Sequence, residues 1–116
     1  MLGTITIGGK DRPFKFGWNA IAALGDLRSL DVQGTSELLA TLSNGTHTLS
    51  VMRDVLFCAL ASGASYSKLP TDFSNTDVGD WMDEMGTESM AKAMNILGAS
   101  FSKKKAAEVT QENPPA

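Results

Sequence analysis

Leu49-Ser50-Val51-Met52-Arg53-Asp54-Val55-Leu56-Phe57-Cys58-Ala59-Leu60 is the most regular helical stretch in the chain. Leu49, Met52, Val55, Leu56, Ala59 and Leu60 recur at i, i+3, i+6, i+7, i+10 and i+11. That period draws an apolar stripe down about three turns of α-helix and makes it the wall on which other elements pack. Thr48 or Ser50 is positioned to cap its start, and Gly63 is expected to close it, giving a helix over about 49–62.

Before this helix the period is two, not 3.6. Thr4-Ile5-Thr6-Ile7 alternates, Gly8-Gly9 follows, and Lys10-Asp11-Arg12-Pro13-Phe14-Lys15-Phe16 resumes an extended pattern. This predicts a β-hairpin over about 4–16, with Ile5 and Ile7 on one face and Pro13 in an edge strand. A lone hairpin is marginal in water, so its apolar face must lie on helices.

Gly17 breaks the strand. Asn19 is the expected N-cap of a helix over about 19–28 carrying Ala20, Ala23, Leu24 and Leu27, with Gly25 marking close packing. Residues 29–34 read as a loop, and 36–43 as a short helix with Leu38, Leu39 and Leu42, stopped by Gly45.

Beyond the central helix, residues 63–76 are rich in Gly, Ser, Thr, Asn and Asp and read as a loop. Ser74 with Asp77 resembles a capping box that opens a helix over about 77–85, its apolar side Val78, Trp81, Met82 and Met85. Met90, Met94, Leu97 and Phe101 give a last helix over about 88–101. The fold class is α+β and mainly helical: a short N-terminal hairpin on about five helices. A single domain is expected over 1–102, with a disordered tail over 103–116 that ends Asn-Pro-Pro-Ala.

Bulk properties narrow the function. The net charge is −3, opposite to the basic patch of a nucleic-acid binder. No apolar run is long enough to span a membrane, and no basic-then-apolar leader opens the chain. One histidine (His47) and one cysteine (Cys58) supply too few ligands for zinc and no triad, and Cys58 reads as a small core residue in a reducing compartment. Asp77, Asp80, Asp83, Glu84 and Glu88 read as a solvated acidic face rather than a cation site. No catalytic, cofactor or metal residues are expected. The side chains with functional promise are Trp81, Met82, Met85, Met90, Met94 and Phe101, because flexible, polarizable methionines suit a surface that adapts to a partner. They equally suit a filled gap between two core helices.

Three segments also carry a family resemblance. Ile5-Thr6-Ile7-Gly8-Gly9-Lys10 leading into Phe14-Lys15-Phe16-Gly17-Trp18-Asn19-Ala20, then Met52 through Leu60, then Val78-Gly79-Asp80-Trp81-Met82, together resemble the tail assembly chaperones of long-tailed bacteriophages over about residues 1–100. The resemblance implies a non-enzymatic assembly factor of the host cytoplasm, absent from the mature virion. Its partners would be the tape measure protein and the tail tube protein, with a frameshifted long form of itself as a further one. Short helices with spare apolar faces also suit a homo-oligomer, and the acidic charge and absence of a long apolar run speak against nucleic acid and membrane as partners. Lys103-Lys104-Lys105 suits an A-rich slippery codon site for such a frameshift. The alternative in the same setting is a minor structural protein of the phage tail or head–tail connector, which mass spectrometry of virions would detect.

Overall fold

The computed structural model describes residues 2–46 and 48–86. Strands β1 (Leu2–Ile7) and β2 (Lys10–Lys15) form an antiparallel hairpin, followed by helices α1 (Trp18–Leu27), α2 (Val32–Asn44) and α3 (Leu49–Tyr66). A fourth helix, α4, covers residues 75–86. The mainly helical fold with an N-terminal hairpin is thus as expected. The described residues hold four helices rather than about five, and the expected helix at 88–101 and tail at 103–116 lie outside them.

Gly8 and Gly9 make the hairpin turn with φ of +64° and +80°. Two successive positive-φ residues give the two-residue turn whose twist matches the strands. Ile7 faces Lys10 across it, and the register continues through Ile5–Arg12, Thr4–Pro13 and Gly3–Phe14. Phe14 lies across Gly3, where a β-carbon would stand 2.6 Å from the ring. Ile7, Phe14 and Phe16 are buried and seat the sheet on α3.

The core contains those three side chains with Ala20 and Leu24 of α1, Val78 and Met82 of α4, and much of α3: Val51, Val55, Leu56, Cys58, Ala59 and Leu60. The stripe on α3 is therefore wider than its sequence spacing implies, since Val51 and Cys58 join it while Leu49 points out. The buried face of α3 is met by the hairpin and by α1, so it cannot be a single narrow seam.

Several boundaries differ from the sequence expectation for local reasons. The N-cap of α1 is Gly17, not Asn19, and no side chain caps that end. Helix α2 begins at Val32 inside the expected loop, because Asp31 accepts a hydrogen bond from the Gly34 N–H at 2.7 Å. Gly45 ends α2 as expected, with φ +72° and the Thr46 N–H donating to the Thr41 carbonyl. Thr48 caps α3, accepting from the Val51 N–H at 3.4 Å. Helix α3 runs through Gly63 to Tyr66 rather than stopping near 62. Ser74 and Asp77 form the reciprocal capping box: the Ser74 N–H donates to Asp77 at 2.9 Å and the Asp77 N–H to Ser74 Oγ at 3.2 Å. A box centred on Ser74 starts α4 at residue 75, two residues before the expected start.

Candidate partner-binding surface

Besides burying Val78 and Met82 in the core, helix α4 is tied to the body of the protein by an aromatic and a polar contact. At one side Trp81 lies over the hairpin turn, in space open only because Gly8 has no side chain: a β-carbon there would stand 2.6 Å from the indole. The Arg12 guanidinium sits 4.3 Å from the Trp81 ring centroid and 5.2 Å from that of Phe73. Phe73 in turn packs edge-on to Phe57 of α3 at 5.9 Å and tilted against Trp81 at 5.5 Å. Arg12 Nε also donates to the Ile7 carbonyl at 3.0 Å, and its Nη1 lies 3.5 Å from Asp72. This cation–π and aromatic chain joins the hairpin, the 72–73 segment, α3 and α4.

At the other side a buried carboxylate ties three helices. Asp54 of α3 is 3% exposed. Arg28, just past α1, donates to its Oδ2 at 2.8 Å, while Arg53 at 3.1 Å and Asn75 of α4 at 3.3 Å donate to Oδ1. Three donors from three parts of the chain satisfy a charge that burial alone would penalise. One turn on, the Cys58 thiol is pushed up to about 12 by its burial and then by the charge of Asp54. It remains a protonated, unreactive thiol at neutral pH.

Helix α4 and the first turns of α3 leave a cleft of about 430 Å³ lined by Leu49, Ser50, Arg53, Gly79, Met82, Asp83 and Gly86. Leu49 stands at its rim, 73% exposed, at the first position of α3. Met82 forms part of its wall while being otherwise packed in the core. Gly79 lines the cleft, and a β-carbon there would stand 3.3 Å from the flexible side-chain stem of Arg53.

The six partner-binding candidates therefore separate. Met82 is buried, and Trp81 and Met85 are half-buried against the core, so Trp81 and Met82 serve first as structural side chains. Met90, Met94 and Phe101 lie outside the described residues. Sequence reasoning missed Leu49 as a surface residue because its spacing matches the core stripe. It missed Arg53 and Gly79 because neither carries an apolar signal. Trp18, 77% exposed, opens α1.

Among the described residues no group of three His, Cys, Asp or Glu side chains could hold a metal ion, and no helix is long and apolar enough to cross a membrane. Asp80, Asp83 and Glu84 are exposed on α4. No known protein family matches the chain, and neither a curated protein nor a solved structure matches it.

Proposed function

We propose that this chain is a phage tail assembly chaperone, a non-enzymatic factor that binds the tape measure protein and promotes assembly of the tail tube around it. One observation carries the reading furthest: the open cleft between α3 and α4, with the exposed Leu49 at its rim and Met82 in its wall. A cleft of this kind, with the exposed Leu49 at its rim, accepts an apolar anchor from one face of an amphipathic helix. The resemblance of the segments quoted above to tail assembly chaperones is what points to the tape measure protein as that partner. In this reading the protein acts in the host cytoplasm and leaves before the virion is complete.

Co-expression with the tape measure protein tests this. The tape measure protein is expected to be insoluble alone and soluble, in complex, when this chain is present. A tape measure protein that aggregates equally with and without it overturns the reading.

A further inference from the structure

The two edges of the hairpin are treated differently. Counting from the Ile7–Lys10 pair that closes the turn, hydrogen-bonded pairs alternate with non-hydrogen-bonded ones, so Thr6–Asp11 and Thr4–Pro13 are of the second kind. Residues of such pairs direct their N–H and C=O groups away from the partner strand. On β2 that outer edge holds Pro13, which has no N–H, and it is covered by α3, whose Gly63 meets the Pro13 backbone. On β1 the outer edge holds the N–H and C=O groups of Thr4 and Thr6, and among the described residues no backbone group outside the hairpin bonds to them. The usual protections of an open edge are also missing from β1: Leu-Gly-Thr-Ile-Thr-Ile contains no charge and no proline, and its alternation is strict from Thr4 to Ile7.

We infer that the outer edge of β1 pairs antiparallel with β1 of a second copy, giving a continuous four-stranded sheet with strand order β2-β1-β1-β2. The occupant follows from the strand itself. An antiparallel pairing of identical strands is its own two-fold operation, and an uncharged strand meets its copy with no like charges opposed. With the axis at Thr4, each Thr4 faces Thr4 of the second copy, and the outward N–H and C=O groups of both strands fall into hydrogen-bonded pairs. In that register Ile5, only half-buried in one copy, lies opposite Gly3 of the other and beside the Phe14 ring that covers it. The apolar faces of both hairpins then lie on one side of the joined sheet. Helix α3 sits chiefly under β2, so among the helices α1 to α3 the closest cover of the hairpin lies away from the β1 edge. The association uses the hairpin rather than the α3–α4 cleft and stands independently of the partner assigned to that cleft.

The test is the solution mass of the full chain by sedimentation equilibrium, with hydrogen exchange at the edge amides. The wild type is expected at twice its 12.3 kDa, with slowly exchanging Thr4 and Thr6 amides. Thr4→Pro removes an N–H that the hairpin itself does not use, and is expected to give a monomer with an unchanged far-ultraviolet circular dichroism spectrum. Thr4→Lys sets two like charges against each other at the axis and is expected to do the same, deciding the matter if Thr4→Pro does not fold. Trp18→Ser, on a different exposed surface, is expected to stay dimeric. A monomeric wild type, or a dimer that persists in the folded Thr4 variant, or one lost in Trp18→Ser while Thr4→Pro keeps it, overturns the inference.

Discussion

A β-carbon on Gly63 would stand 2.4 Å from the carbonyl oxygen of Pro13, so α3 and β2 touch backbone to backbone at this point. The obstacle is main chain on both sides and cannot rotate away. Gly63→Ala would gain about 1 kcal/mol of helix propensity in isolation. The overlap outweighs it, and a net loss of roughly 1–3 kcal/mol is expected. Urea denaturation followed by circular dichroism measures this, and a variant more stable than the wild type would show that α3 and β2 are not in contact there.

Asp54 makes a second prediction through an ordering. Asp54→Ala leaves the Arg28 guanidinium and Asn75 without their acceptor and opens space beside the core, and a loss of about 3 kcal/mol is expected. Arg28→Ala leaves the carboxylate with Arg53 and Asn75, and Arg28 is itself partly solvated, so the loss is expected to be about 1 kcal/mol. Equal losses from the two substitutions would mean that Arg28 alone holds the charge.

The Cys58 thiol gives a pH dependence. Its ordinary value is 9.0 and the fold raises it to about 12. Below pH 9 both folded and unfolded chains keep the proton, and the full stability is present. Between pH 9 and 12 the unfolded chain releases the proton while the folded chain retains it, so stability falls as pH rises, by up to ~1.4 kcal/mol per pH unit from this group. Cys58→Ala is expected to show a shallower alkaline decline than the wild type in parallel denaturant titrations. Identical slopes would place the thiol in contact with solvent.

Arg12 is expected to behave as a structural staple. Arg12→Ala removes the cation from the Phe73 and Trp81 rings and the bond to the Ile7 carbonyl, for a loss of roughly 1–2 kcal/mol. It should also make one of the two tryptophans more accessible to iodide quenching, namely Trp81, since Trp18 is already exposed. Unchanged quenching and stability would mean that α4 is held to the hairpin by Gly8 packing alone.

These contacts show which parts of the fold are legible in sequence. The Gly8-Gly9 turn, the Ser74–Asp77 capping box, the Thr48 cap and the Gly45 stop are all local: cause and effect lie within a few residues. A glycine at 63 suggests a helix end, since glycine commonly follows one, whereas here it permits a strand 50 residues earlier in the chain to approach the helix. Asp54 sits in an otherwise apolar run, and its partners Arg28 and Asn75 are 26 and 21 residues away. Leu49 has core spacing but belongs to the first turn of α3, beyond the reach of the hairpin and α1. Periodicity gives the side of a helix and not where along its length cover ends.

Leu49 also offers the most direct measurement of the central claim. Leu49→Asp places an acid in the first turn of α3, where the helix dipole favours it, so folding should be unaffected. Co-expressed with the tape measure protein, the folded variant is expected to leave that protein insoluble, whereas the wild type keeps it in solution. A folded Leu49→Asp variant that retains the soluble complex at the wild-type level would contradict the account.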